Sequence, residues 1–283
     1  DPRVQRAVNR IQTEEQTFAV LDAARGNGFK SVSIDLIYGL PLQTVAGFSA
    51  TLDKIIAASP DRLSVFNYAH LPERFKPQRR IDAAQLPAPA EKLAILRMTG
   101  DKLAAAGYVY IGMDHFAKPD DELARAQRDG TLYRNFQGYS THADCDLIGI
   151  GITSIGMVGP TYAQNVKTLE EYYDRIDAGR LPLFKGLTLS RDDEIRRDVI
   201  TRLICHFRLR FAEVEARWGI RFADYFADEL GKLDPMVADE LLRVGAEGIE
   251  ILPRGRFLIR NVCMVFDAYL RSAAVQQRFS RVI

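Results

Sequence analysis

Three short apolar runs, each followed by a helical stretch, constrain this chain more than any other feature. Residues 31–39, SVSIDLIYG, read as a buried strand that Gly39-Leu40-Pro41 breaks. Residues 62–70, RLSVFNYAH, are the second run, and 108–111, YVYI, the third. Ahead of the first, Thr13-x-x-Gln16 predicts a capping box and a helix that turns Phe18, Leu21 and Ala24 inward and ends near Gly26 and Gly28. Between the runs, 45–58 puts Phe48, Leu52 and Ile55 at helical spacing, and 90–106 reads as a long helix after a proline-bearing loop. Such alternation predicts parallel βα units, with ligands at the carboxyl ends of the strands. Those ends hold Tyr38, Asn67, Ala69, His70, Asp114 and His115.

The stretch after the third run is dense in chemistry. Pro119-Asp120-Asp121 starts a short polar helix. The loop Arg134-Asn135-Phe136-Gln137-Gly138-Tyr139 gathers a cation, two amides and two aromatics. Residues 148–152 alternate isoleucine with glycine and read as a glycine-rich strand that something can approach closely. Further on, Thr168-x-x-Glu171 and Ser190-x-x-Asp193 cap two helices, the second with Ile195, Val199, Leu203 and Phe207 on one face. Helices are expected at 211–218, 222–233, 237–244 and 257–273, with a small hairpin near 248–252. Helices followed by a hairpin suggest a winged-helix-like module, with a boundary near 181–189.

The fold expectation is therefore α/β, followed by a mainly helical, winged-helix-like C-terminal domain. The 283 residues, 47% hydrophobic and 27% charged, can bury a substantial core. A formal net charge of +1 gives no whole-chain field for nucleic acid or a membrane surface. No apolar run nears the roughly 18 residues of a membrane span. Three scattered cysteines suit a reducing cytoplasm. Asp1 stands where an initiator methionine would, and the chain reads as starting mid-domain.

Several residues admit two readings. Asp35, between Ile34 and Leu36, is either a ligand-facing acid or half of a structural ion pair, because a buried carboxylate needs a partner. Arg10 is a solvated cation or a carboxylate clamp. Ala69 offers only its smallness. Phe136 and Gln137 can stack on and hydrogen-bond a flat heterocycle, or plug the core. Asp114 and His115, adjacent in a strand, point to opposite faces. The histidines lack metal-ligand spacing, so no zinc site is expected. Gly149-x-Gly151 lacks the full dinucleotide pattern. From Ile251 onward six arginines accompany one acid, Asp267: an anion-binding patch or a solvated face.

The strings IDLIYGLP from Ile34, DRLSVFNYAHLP from Asp61, IGMDHFAKPDDELA from Ile111, RNFQGYST from Arg134 and the terminal QQRFSRVI carry a resemblance. They resemble the oxygen-independent coproporphyrinogen III oxidases, radical S-adenosylmethionine enzymes of haem biosynthesis. The resemblance implies a partial (βα)6 barrel and a helical C-terminal domain. It divides this chain into a barrel remnant (1–118), an active-site loop and connecting segment (119–188) and the C-terminal domain (189–283). It also implies oxidative decarboxylation of two propionates of coproporphyrinogen III to vinyls, giving protoporphyrinogen IX. The cofactors would be two S-adenosylmethionine molecules and a 4Fe-4S cluster. The family's C-x3-C-x2-C motif and glycine-rich turn have no match here, so the cluster ligands are expected outside this chain and no metal site within it.

Matched position by position, the S-adenosylmethionine contacts fall on Arg10, Asp35, Ala69 and Ile155, with Phe136 and Gln137 beside the second molecule. Arg134, Arg278 and Arg281 become candidates for the substrate carboxylates. A cytoplasmic monomer is expected, acting on coproporphyrinogen III, with no nucleic-acid partner, unidentified electron donor and acceptor, and no activity from this polypeptide by itself. Two rival readings remain: a haem-binding relative of the same family, and a winged-helix DNA-binding regulator using the C-terminal arginines, which steep salt dependence would reveal.

Overall fold

The structure is a computed structural model that describes residues 1–143 and 145–271. These form two compact units, Asp1–Asp129 and Gly130–Arg271. The fold is α/β with no closed barrel among the described residues. None of its described helices is long and apolar enough to cross a membrane.

The first unit opens with α1 (Pro2–Ala7) and α2 (Glu14–Gly26). The expected capping box is present at α2: Gln16 N donates to Thr13 Oγ1, and Thr13 N to Gln16 Oε1. Then follow β1 (Ser33–Tyr38), α3 (Val45–Ala58), β2 (Arg62–Asn67), α4 (Pro89–Ala105), β3 (Val109–Gly112), β4 (His115–Ala117) and α5 (Glu122–Asp129). Strands β1 and β2 are parallel, in register from Ser33↔Arg62 to Tyr38↔Asn67.

The third run departs from the expected parallel neighbour. Met113 and Asp114 both take positive φ, 45° and 71°. Two consecutive left-handed residues make the tight turn whose twist suits antiparallel strands. The chain therefore doubles back into β4, which pairs antiparallel with both β2 and β3 and gives the order β1-β2-β4-β3. Asp114 thus belongs to a turn and not to a strand shared with His115.

One face of this sheet is packed. Tyr38, Leu63, Val65 and Phe116 meet Phe48, Leu52, Ile95 and Leu103 in a buried cluster that involves α3 and α4. Ile34 and Leu36 join it from β1. Ser33, Asp35 and Ile37, on the alternate positions, are exposed. The expectation that 31–39 is buried on both sides is therefore corrected: β1 is an edge strand covered on one face.

The second unit contains a hairpin, β5 (Tyr133–Asn135) and β6 (Gly138–Ser140). An antiparallel sheet follows, β7 (Ile155–Val158), β8 (Thr161–Asn165) and β9 (Leu183–Thr188), with α6 (Leu169–Asp177) between β8 and β9. Then come α7 (Arg191–His206), β10 (Arg208–Arg210), α8 (Phe211–Trp218), α9 (Phe222–Tyr225), α10 (Ala227–Lys232), α11 (Asp234–Ala238), β11 (Leu242–Val244), β12 (Gly248–Ile251), α12 (Pro253–Arg256) and α13 (Ile259–Phe266). Strand β12 lies between β10 and β11, antiparallel to each. The single helix expected at 237–244 is α11 followed by β11, because Glu240 takes a left-handed φ of 55° between them. The one expected at 257–273 stops at Phe266 and continues as a 3-10 turn, Ala268–Arg271.

The core around α7 is aromatic. Ile195, Val199 and Leu203 are buried, as are Phe211, Phe222, Phe226 and Phe266. Phe211 and Phe222 stack at 4.3 Å between centroids. Inside this core Arg196 pairs with Glu229 at 2.9 Å and with Asp192 at 2.7 Å, its guanidinium 5.3 Å from the Phe226 ring. A buried carboxylate such as Glu229 is tolerated only with such a partner.

Candidate functional site

In the first unit the open face of the sheet carries the polar residues. Parallel register sets Asp35 beside Ser64 and Ile37 beside Phe66, while Ser64 faces His115 across the antiparallel pair. Neighbouring residues in register share a face, so Asp35, Ser64 and His115 form one row. Phe66 meets the His115 ring edge-on at 5.8 Å. His115 Nδ1 lies 2.6 Å from the Met113 carbonyl, which fixes the ring proton on that nitrogen.

Asp35 also lines a cleft of about 680 Å3 between β1 and helices α2 and α3, and Arg10 lines the same cleft. Arg10 sits in the link between α1 and α2. Gln5 holds that link through Gln5 Nε2 to Gln12 O at 2.8 Å and Gln12 N to Gln5 Oε1 at 2.9 Å. Both Arg10 and Asp35 are exposed, and among the described residues neither has an ion-pair partner. The structural ion pair, one of the two readings of Asp35, is absent among the described residues. Ala69 lies two residues beyond β2, where its carbonyl accepts from Gln78 Nε2 at 3.1 Å.

The remaining candidates lie in the second unit. Phe136 and Gln137 form the two-residue turn of the β5–β6 hairpin, with Gly138 at φ 129°. Gln137 N donates to Asn135 Oδ1 at 2.8 Å, which fixes the turn. Phe136 is 53% exposed, so it does not plug the core; its ring stands edge-on to Tyr162 at 5.0 Å. Arg134 projects from β5 with its guanidinium 5.7 Å from the Tyr139 ring. Burial pushes the Cys205 thiol up to about 12, an effect Arg134 partly offsets. Arg278 and Arg281 lie outside the described residues.

The glycine-rich stretch ahead of Ile155 is not a strand. Residues 148–152 form a loop, with Ile148 and Ile150 exposed, and Ile155 is the first residue of β7. What approaches these glycines is the chain itself. Leu147 and Met157 exchange both backbone hydrogen bonds at 2.8 Å, and a side chain at Gly156 would strike the Leu147 carbonyl. Buried Asn165 ties the loop down, Nδ2 donating to the carbonyls of Gly149 and Gly151 at 3.0 and 2.9 Å. The sequence reading missed Asn165, which stands among the polar residues of TYAQNVKT with nothing to single it out. It also missed the row of Ser64 and His115, because register between distant strands is not visible in sequence.

The comparisons with known proteins point one way. The HemN C-terminal domain family matches residues 189–258. Oxygen-independent coproporphyrinogen III oxidase of Pseudomonas aeruginosa is 55% identical over the whole chain, and that of Escherichia coli 56% over 99% of it. The chain spans 61% of the length of each. The Thermostichus vulcanus protein of the same name is 48% identical, and here the chain covers 87% of it. A solved structure, coproporphyrinogen III oxidase (HemN) from E. coli, described as a radical SAM enzyme, superposes with a TM-score of 0.92 over 95% of this chain and 62% of that one. The chain belongs to the oxygen-independent coproporphyrinogen III oxidase family.

Proposed function

We propose that this chain supplies part of the active site for oxygen-independent oxidative decarboxylation of two propionates of coproporphyrinogen III, yielding protoporphyrinogen IX in the cytoplasm. In this reading residues 1–118 are the end of a radical S-adenosylmethionine barrel, 119–188 bring the active-site loop, and 189–283 form a winged-helix-like domain serving it. The protein acts as a monomer.

One observation carries the reading: Arg10 and Asp35, the charged residues assigned to S-adenosylmethionine, line one cleft and have no ion-pair partner among the described residues. Elsewhere in the first unit, charges such as Arg62 and Asp121 are consumed in an ion pair at 2.9 Å. Unpaired charges of opposite sign in one cleft fit a zwitterion. Arg10 would hold the carboxylate of the methionyl end. Asp35 would accept hydrogen bonds from its ammonium or from a ribose hydroxyl. Ala69 lets the ligand lie against the backbone and Ile155 offers an apolar contact to an adenine; Phe136 offers a ring face and Gln137 an amide beside the second molecule. When bound, S-adenosylmethionine supplies the one-electron hydrogen abstraction that starts such a decarboxylation.

The cysteines do not fit the cluster. Burial pushes the Cys205 and Cys263 thiols up to about 12, far from the thiolate that iron requires, and Cys145 is a single exposed thiol. The cluster ligands in this reading lie outside the chain. Asp35→Ala in the complete enzyme tests the proposal. Affinity for S-adenosylmethionine should fall roughly tenfold or more, with turnover mostly lost, since a charge-assisted bond is worth about 1.5–3 kcal/mol. The melting temperature should stay put. Unchanged affinity and rate would sink it.

A further inference from the structure

Within the second unit a pocket of about 400 Å3 opens beneath the β5–β6 turn, between β5, β7, β8 and α7. Its walls are mostly apolar, with Phe136, Met157, Tyr162, Ile200 and Ile204. Three arginines line it; Arg196 is already held by Asp192 and Glu229, which leaves two, Arg134 and Arg197.

The two arginines differ in how they are satisfied. Arg197 donates to Tyr162 Oη at 3.4 Å and to Met157 Sδ at 3.5 Å, and its nearest carboxylate, Glu194, is 3.7 Å away. The two contacts to oxygen are long and the thioether is a weak acceptor, so its hydrogen-bonding capacity is under-used. Arg134 is further from satisfaction. Its Nε is buried with no hydrogen-bond partner, and no carboxylate pairs with it among the described residues. The acids nearby are committed elsewhere. Asp193 Oδ2 accepts from Ser190 N and Oγ at the start of α7, and Asp267 Oδ1 accepts from Tyr269 N. A partly buried guanidinium without an anion costs stability that a folded chain recovers only when the anion arrives.

We propose that this pocket is a subsite for the carboxylate at the end of a short apolar arm, clamped by Arg134 and Arg197 with the arm against Met157, Ile200 and Ile204. This deepens the functional reading above and rests on it for the source of the arm, one propionate of the tetrapyrrole substrate. The chemistry favours a simple carboxylate over an amino acid. An α-ammonium group beside two guanidinium groups would be repelled, and both available acids are already hydrogen-bonded. A mostly apolar wall with a few convergent polar groups is what a small-ligand site requires.

The test uses the 283-residue chain, 13C-labelled at its methionine methyls so that Met157 reports. The probes are 3-(pyrrol-3-yl)propionate, its methyl ester and S-adenosylmethionine. The acid should shift the Met157 methyl in a saturable way, and the ester should not. Arg134→Gln and Arg197→Gln should each weaken the acid roughly tenfold, the loss expected for one charge-assisted contact. Arg134→Lys should restore part of it, which a merely structural role would not. Equal shifts by acid and ester, wild-type affinity in both variants, or displacement of the acid by S-adenosylmethionine would each overturn the subsite. Failure of the functional reading looks different: the complete enzyme would leave coproporphyrinogen III unchanged while the chain still bound the acid through Arg134.

Discussion

The two units spend their charged residues differently. In the second, the buried acid Glu229 is paired with Arg196, and Asp198 takes Arg202, Arg217 and the Trp218 indole N–H. In the first, ion pairs gather at the start of β2, where Arg62 Nε meets Asp121 at 2.9 Å and Nη2 meets Glu122 at 2.7 Å. On the exposed face of the same sheet, Asp35, level with Ser64, has no ion-pair partner among the described residues. In the functional reading proposed above, that difference separates charges that hold the fold from charges left for a ligand.

The largest effect is expected at Gly248, one of the two most tightly packed glycines of the second unit. A Cβ on Gly248 would run into the Leu209 carbonyl of β10, a backbone atom that cannot rotate away. Gly248→Ala should destabilise that unit by about 3 kcal/mol or more, the upper range for overpacking. Urea unfolding followed by Trp218 fluorescence measures it, since Trp218 is the chain's single tryptophan. A loss under 1 kcal/mol would mean the β10–β12 pairing relaxes easily.

Next is Asp121, whose carboxylate accepts from Arg62 Nε, from Ser31 Oγ at 3.2 Å and from Leu123 N at 2.9 Å. Asp121→Asn should cost about 2–3 kcal/mol, because it leaves Arg62 with one fewer charged partner in a nearly buried site. Circular dichroism melts would show it. By contrast Asp35→Ala should leave the melt of the same unit unchanged; if the two substitutions cost the same, the division between structural and binding charges fails.

The smallest effect expected is on pH dependence. Burial by itself would raise Asp192, but hydrogen bonds from Tyr225 and Arg196 outweigh it and hold the carboxyl below its usual value. Asp193 is lowered likewise, its modest burial outweighed by bonds from Ser190. A depressed folded value contributes stability that is present above the unfolded value, near 3.9, and fades as pH falls through the folded one. The second unit should therefore lose this contribution only below about pH 4, and Asp192→Asn should flatten its acid limb. An acid titration monitored at Trp218 that is unaltered by the substitution would show that α7 does not need the charge.

Much of the architecture was legible in the sequence because it is local. The capping boxes at Thr13 and Ser190 and the buried face of α7 depend on neighbours within a few residues. The errors came where the answer depends on distant partners. Asp35 in an apolar strand looks buried, but its exposure depends on whether a neighbouring element covers that face. The Ile-Gly alternation at 148–152 has strand period, yet Asn165 and β7 hold it as a loop. Residues 237–244 have helix-forming composition, and only the pairing of β11 with β12 overrides it. Of the candidate site, residue chemistry singled out Arg10 and Asp35 separately, and only the resemblance joined them at one ligand; the cleft that both line appears in three dimensions.

The Met113–Asp114 turn has a consequence for how this sheet can extend. By sending β4 back between β2 and β3, it leaves the two margins unlike each other. At the β3 margin the Ile111 carbonyl is already taken by Gln127 Nε2 of α5 at 2.7 Å. At the β1 margin the alternate positions are exposed and no further strand is paired among the described residues. In the language of filaments, the β3 end is partly blunted at Ile111, while the β1 end, beside Asp35, is a growing end.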